Sequence, residues 1–438
     1  MSFAKAEVFP RTSNISTDGH LVVGGCDITE LAARFGTPLY LYDEEELRAR
    51  CREYIKAFGS RHNDFRVIYA SKAFTNPAMA HLLHEEGLGL DVVSGGEIAV
   101  AKAVKFPPGE VYFHGNNKGR QELEEALDWG IGQVVVDNLH ELSLLNELAT
   151  ARGKPQDVLI RITPNVDPHT HAHTTTGTLD SKFGFPIETG QAEEALRRAM
   201  DANYINPVGL HFHLGSPIFE TQPYKEAIDL TLRFASRMRE FGWEMKEFSP
   251  GGGFAIPYIE RQIVPSTDEY AEALVSALIS GCLDLGLKLP KLVVEPGRSL
   301  VGPAGVALYS VGAVKNIPGV RKYVSVDGGM GDNIRPALYG AVYEIVAASK
   351  MNRECTEKVT IAGKFCESGD VLVKDVLLPP MEAGDILAVP AAGAYSHSMA
   401  SNYNLMPRPA IVMVRDGKAR IIKRRENYAD LMRCDSPY

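Results

Sequence analysis

The sequence predicts an α/β fold of the TIM type, a (β/α)8 barrel, joined to a second domain that is mostly β. Eight short β-prone runs recur between residues 66 and 295, helix-like segments separate them, and long helices give out after about residue 300. The runs are RVIYA (66–70), LDVV (90–93), EVYFH (110–114), QVVVD (133–137), DVLIRIT (157–163), PVGLHFH (207–213), KEFSP (246–250) and KLVVE (291–295). Strands alternating with helices make a parallel sheet, and eight is the number that closes into a barrel. An open doubly wound sheet would usually begin with a glycine-rich dinucleotide turn, and no GxGxxG follows the first run.

The helical segments carry the matching period. Leu139, Leu142, Leu145 and Leu148 share one broad helical face, and Leu123 and Leu127 stand at i, i+4. Two longer segments, 222–242 and 268–286, each close on glycine. Beyond the eighth run come KYVSV, VYEIVAA, KVTIAG and DILAVPA, and AIVMVRDGKARIIKRR reads as a hairpin around Asp416-Gly417. The extended pieces HLVVGG (20–25) and PLYLYD (38–43) are expected to join this β region. The expected domains are a barrel over 41–304 and a β-rich domain from 1–40 with 305–438.

Composition excludes several classes of function. The chain has 438 residues, 45% of them hydrophobic and 23% charged, which is ample for a folded core. A net charge of −9 argues against nucleic acid or anionic membrane as partner. The six cysteines, at 26, 51, 282, 355, 366 and 434, form no CxxC pair, which suits a reducing compartment. With no signal-like core at the N-terminus, the expected location is cytoplasmic.

In such barrels the chemistry sits at the C-terminal strand ends, and phosphate commonly binds after strands seven and eight. Strand seven leads into Gly251-Gly252-Gly253 and strand eight into Glu295-Pro296-Gly297-Arg298. Bare backbone admits an anion closely, and an arginine adds fixed charge. Lys72 follows strand one and His213 ends strand six. Taken singly, Lys72 reads as a surface cap, His213 as a core histidine and Glu295 as a salt-bridge partner of Arg298. Together, a lysine, a flat ring, a carboxylate and a phosphate cradle are the parts that pyridoxal 5′-phosphate (PLP) requires.

Longer stretches carry a family likeness: YASKA (69–73), LDVVSGGE (90–97), HGNNK (114–118), SKFGF (181–185), GLHFHLGS (209–216), GGGF (251–254), EPGRSLVG (295–302), VDGGMGDNIRPALYGA (326–341), CESGDVL (366–372) and GAYSHSMASNYN (393–404). In these the chain resembles the PLP-dependent decarboxylases of the alanine-racemase-like barrel group. The resemblance implies that Lys72 carries PLP, that His213 stacks on its ring, and that Glu295 faces its ring nitrogen. By the same token Ser216, Gly251, Gly252, Gly253 and Tyr395 hold the phosphate, with Gly297 and Arg298 at the same end. It further implies a homodimer in which Cys366 and Glu367 enter the partner's active site, Cys366 as proton donor. The alternative for Cys366 is a small buried hydrophobe. Lys364-Phe365 and Ser396-His397 depart from the smaller or more apolar residues expected there and bear on specificity, not on the reaction.

Glu295 argues for the reaction type. A carboxylate opposite the ring nitrogen favours delocalisation of the electron pair left when CO2 departs, whereas an arginine, as in the related racemases, weakens that sink. Charge argues for the substrate. Arg335 offers a bidentate fork to a carboxylate, Glu367 can take an ammonium, and Arg298, Tyr339 and Tyr395 complete the substrate-binding set. These suit a distal amino acid group such as that of meso-2,6-diaminopimelate, with L-lysine as product. The alternatives are another basic amino acid (ornithine, lysine or a D-amino acid) and a non-catalytic PLP-binding protein on the same barrel. His169, His171 and His173 could chelate a metal if extended, but no metal is expected.

Overall fold

The computed structural model describes residues 5–167 and 176–436, so His169, His171 and His173 lie outside the described residues. It divides into two units, one of Arg50–Ala255 with Val264–Gly297, the other of Met1–Ala49, Ile256–Ile263 and Arg298–Tyr438.

The first unit is a closed parallel barrel. Its strands are β1 (Phe65–Ala70), β2 (Gly89–Val92), β3 (Val111–Phe113), β4 (Gln133–Val136), β5 (Gln156–Thr163), β6 (Ile205–His211), β7 (Glu247–Ser249) and β8 (Lys291–Val294). Each pairs in parallel with the next, and β8 returns to β1 through Leu292↔Phe65 and Val294↔Val67. Ile68, Tyr112, Val135, Leu159, Val208 and Val293, drawn from six of the strands, form a buried cluster. That matches the branched and bulky filling of a barrel interior. Several strands stop one or two residues before the expected end. His114, Asp137 and Glu295 follow their strands, and β6 ends at His211, leaving His213 in the loop beyond. The ladder gives way where the chain turns toward the next helix.

Local chemistry sets the helix limits. Helix Leu139–Arg152 begins at Asn138, whose side chain accepts from the Glu141 amide, and ends at Gly153 with φ 61°. Helices Gln222–Arg239 and Thr267–Asp284 stop slightly short of the expected glycines. Gly242 and Gly286 supply the left-handed turns that follow, at φ 85° and 62°.

In the second unit, strand Leu39–Asp43 lies between Gly305–Ile317, antiparallel, and Ala410–Arg415, parallel. Gly305–Ile317 also pairs with Arg321–Val326 and Ile386–Val389. The hairpin Ala410–Arg415/Lys418–Lys423 turns on Asp416 and Gly417, both at positive φ, as a two-residue primed turn requires. Leu39, Leu41, Val306, Leu308, Ala388 and Val412 pack in one buried core with Leu21 and Val23. Among the described residues no helix is long and apolar enough to cross a membrane.

Candidate active site

Lys72 lies in the single 3-10 turn Ser71–Ala73 that follows β1 and is exposed. The Tyr69 hydroxyl pins this turn, donating to the Phe74 carbonyl at 2.6 Å and accepting from its amide at 3.1 Å. The Ala70 amide bonds the Pro296 carbonyl, which ties the end of β1 to the residue after Glu295. Gly297 permits the approach, since a Cβ there would meet Ala70 Cβ at 2.9 Å.

Glu295 is buried just beyond β8. Its Oε1 accepts from Ser249 Oγ at 2.8 Å and its Oε2 from His211 Nε2 at 3.1 Å, with His114 Nε2 3.5 Å from Oε1. Burial alone would favour the neutral acid. The two histidines and the Ser249 hydrogen bond outweigh it and hold the carboxyl well below its ordinary range. Burial in turn pushes the pKa values of His211 and His114 down, while the Glu295 charge opposes that shift. Glu295 is therefore an ionised carboxylate held by His211, His114 and Ser249.

His213, half-buried, accepts the Gly252 amide at Nδ1, 3.2 Å away. Burial and the Lys72 charge press its pKa well down, leaving a neutral ring suited to stacking. Gly251, at φ 74°, and Gly252 run closely past β6 and β8. A Cβ on Gly251 would lie 2.6 Å from the Phe212 carbonyl oxygen, and one on Gly252 would lie 2.0 Å from that of Glu295. Gly253 continues the loop and Ser216, half-buried, follows β6.

Three barrel residues escaped the sequence reading. Asp91 on β2 is buried, 3.7 Å from His114, and burial lifts its pKa to about 8 against the opposing charge of Lys72. Arg161 on β5 is buried over the Phe183 ring, 4.3 Å from its centre. His114 closes the set. All three sit inside strand-like runs or quoted motifs, and a charge within an apolar strand such as DVLIRIT was their signal. Asp91 Oδ1 and His114 Nε2 are buried without a hydrogen-bond partner among the described residues. His114, His211 and Glu295 also bring donor atoms within 4.8 Å of one another, a spacing a divalent ion could use.

In the second unit Arg298 and Arg335 are both buried. Arg298 donates to the Tyr258 hydroxyl at 2.6 Å and lies 4.8 Å from the centre of the Tyr395 ring. Tyr395 adopts φ 58°, a conformation uncommon outside glycine. Arg335 opens the short helix Arg335–Tyr339, donates to the Tyr343 hydroxyl, and has no carboxylate partner among the described residues. Tyr339, half-buried, ends that helix.

Cys366 and Glu367 are exposed on a loop closed by the buried Asp370, which accepts the Met330 and Phe365 amides at 2.6 and 2.8 Å. The alternative of a buried, inert Cys366 does not hold in this chain. Phe365 stacks on Tyr403, and His397 is buried against Tyr40 with Nε2 3.1 Å from the Pro409 carbonyl, so these departures serve packing. Lys364 is exposed.

A TIM-type barrel with a lysine beyond one strand, an ionised carboxylate beyond another and a glycine loop between defines a PLP enzyme. The buried Asp91 Oδ1 and His114 Nε2, which have no hydrogen-bond partner among the described residues, make the surroundings of Glu295 polar, and the residues present fit the cofactor. The family model "pyridoxal-dependent decarboxylase, pyridoxal binding domain" matches residues 44–302, more than half of the chain. The chain belongs to the pyridoxal-dependent decarboxylases, and PLP is its cofactor.

Within that family it is similar to diaminopimelate decarboxylases. That of Bacillus subtilis is 47% identical over 428 residues, 98% of both chains. Among solved structures, the diaminopimelate decarboxylase of M. jannaschii in complex with L-lysine superposes with a TM-score of 0.92 at 38% identity, covering 98% of each chain. That of Helicobacter pylori, also complexed with L-lysine, gives 0.86 at 32% identity, covering 93% of this chain and 98% of the other.

Proposed function

We propose that the chain decarboxylates meso-2,6-diaminopimelate to L-lysine and CO2, the last step of lysine biosynthesis. The observation that carries the substrate is Arg335, a buried guanidinium whose described partner is a tyrosine hydroxyl and not a carboxylate. A buried cation left with neutral partners favours an incoming anion, and the fork geometry favours a carboxylate. The names of the relatives support the same reading.

When bound, PLP supplies the electron sink for the pair released as CO2 leaves. Lys72 would carry the cofactor. Glu295, kept ionised by Ser249 and His211, would stabilise a proton on the ring nitrogen. The ring of His213 would stack on the cofactor; Ser216, Gly251–Gly253, Gly297, Arg298 and Tyr395 would hold its phosphate. Arg335 pairs with the distal carboxylate of the substrate, helped by Arg298, Tyr339 and Tyr395, and Glu367 takes the distal ammonium. Cys366 would supply the proton that takes the place of the departed carboxyl group at Cα. Its exposure in the single chain accords with a homodimer in which it serves the partner subunit. The same reading takes 41–304 as the cofactor domain and the cytoplasm as the location.

Two measurements test this. Borohydride reduction of the holoenzyme followed by peptide mapping should label Lys72; a label elsewhere removes it from the role. Arg335→Ala should lose decarboxylation of diaminopimelate, read as CO2 and lysine release, while sparing any activity on a plain diamine precursor. Unchanged turnover of diaminopimelate would reject the substrate assignment.

A further inference from the structure

We propose that Tyr258 is a positioning residue that sets the Arg298 and Arg335 guanidinium groups as a matched pair of anion receptors, one for the cofactor phosphate and one for the distal carboxylate of the substrate. The proposal rests on the roles given to the two arginines above.

Tyr258 belongs to the segment Ile256–Ile263, which clusters with the second unit and not with the barrel strands that flank it in sequence. Its backbone is fixed on both sides: the amide donates to Gln262 Oε1 at 2.8 Å, and the carbonyl accepts from the Glu344 amide at 3.1 Å. Its hydroxyl accepts from Arg298 Nη1 at 2.6 Å, while the Arg335 guanidinium carbon lies 4.6 Å from the centre of its ring. The Tyr258 hydroxyl thus bears on both arginines, and its ring lies beside both guanidinium groups, 5.9 Å from that of Arg298 and 4.6 Å from that of Arg335. Tyr343 meets the Tyr258 ring edge-on, with centroids 5.2 Å apart and planes at 86°, and its own hydroxyl accepts from Arg335. All four side chains are buried.

The choice of a phenol has a physical reason. Two buried guanidinium groups side by side repel, and each needs acceptors for its N–H groups. A carboxylate between them would satisfy those needs but cancel charge that an anionic ligand requires. A phenol oxygen accepts a charge-assisted hydrogen bond while remaining neutral, and an aromatic face steadies a guanidinium plane without neutralising it. Burial raises the Tyr258 pKa, yet the charges of Arg298 and Arg335 outweigh it and the net direction is down, which shows how strongly both cations bear on this hydroxyl. No sequence period or motif marks Tyr258.

The test compares Tyr258→Phe, Tyr343→Phe and Arg335→Ala, each as full-length protein. PLP affinity is measured by titrating apoprotein and following visible absorbance; KM and kcat are measured with meso-diaminopimelate. Loss of a hydrogen bond to a charged group is worth roughly tenfold. Tyr258→Phe is therefore expected to weaken PLP binding about tenfold and to raise KM by a similar factor, with kcat changed less than about threefold. Tyr343→Phe, which removes the hydroxyl that accepts from Arg335 and keeps the ring against Tyr258, should raise KM without moving PLP affinity.

Wild-type KM and PLP affinity in Tyr258→Phe overturn the proposal, as does a loss confined to kcat. If Tyr258→Phe does not fold, Tyr343→Phe decides: a KM shift at constant PLP affinity supports the matched pair, and no shift overturns it. If Arg335→Ala leaves turnover of diaminopimelate unchanged, the substrate reading fails by itself. The PLP titration of Tyr258→Phe still decides whether Tyr258 sets Arg298.

Discussion

His211 Nε2 lies 3.1 Å from Glu295 Oε2, joining the end of β6 to the residue that follows β8. Burial presses the pKa of this imidazole down, and the Glu295 charge opposes that shift. The carboxylate is kept charged by His211 and His114 and by hydrogen bonds from His211 and Ser249.

Glu295→Gln keeps the shape and removes the charge. Its kcat is expected to fall roughly 100-fold or more, the scale on which loss of a preorganised charge acts. Steady-state kinetics with saturating PLP checks it, and turnover near that of the wild type would take Glu295 out of the ring-nitrogen role.

Ser249→Ala removes one of the two direct donors to the same carboxylate and leaves the other. The loss expected is about one hydrogen bond to a charged group, roughly tenfold in kcat or PLP affinity. An effect as large as that of Glu295→Gln would mean that Ser249 acts in some other way.

Gly252→Ala places a Cβ 2.0 Å from the Glu295 carbonyl oxygen, a backbone atom that cannot swing aside. Overpacking of this kind costs about 1–3 kcal/mol, and here it also displaces the Gly251–Gly253 loop proposed to hold phosphate. Urea unfolding and PLP titration should both register it. Gly109→Ala, where a Cβ meets nothing within 4 Å, serves as the control and should leave both unchanged.

Asp332 and His397 titrate with opposite consequences for stability. Burial lifts the Asp332 pKa from 3.8 to about 7, against hydrogen bonds from Tyr309, Gly329 and Tyr40. Its neutral form is favoured by folding, so its contribution is complete below the unfolded value and is lost as pH rises through about 7. Burial, with the charges of Lys423 and Arg408, lowers His397 from 6.5 to about 4. Its contribution is complete above the unfolded value and is lost as pH falls through about 4. Relative to wild type, Asp332→Asn should therefore lose most stability near pH 4 and least above pH 7, and His397→Gln the reverse. Denaturant midpoints across that range measure both.

The eight barrel strands were legible because strands covered on both faces read as short apolar runs between capped helices, as DVLIRIT and KLVVE do. Their ends were less so: PVGLHFH continues to be β-prone past His211, but the ladder does not. Lys72, His213 and Glu295 stood out by their place at strand ends and by their motifs. Asp91 and Arg161 did not, since a single charge inside LDVV or DVLIRIT leaves the apolar pattern intact and only the closed barrel shows where it points. Tyr258 was hidden for another reason. The segment after GGGF carries no period to show that Ile256–Ile263 leaves the barrel's company for the β-rich unit.

Strand Leu39–Asp43 finds its parallel neighbour in Ala410–Arg415, near the opposite end of the chain. During synthesis that partner leaves the ribosome long after Leu39–Asp43, whereas most barrel pairings join successive strands and become available in order. The early strand must wait with one side of its backbone unpaired, in the state most open to mispairing or to capture by a chaperone. A message truncated shortly before codon 410 would yield a chain able to close its barrel ring yet unable to complete the other sheet, and it should be cleared or aggregate.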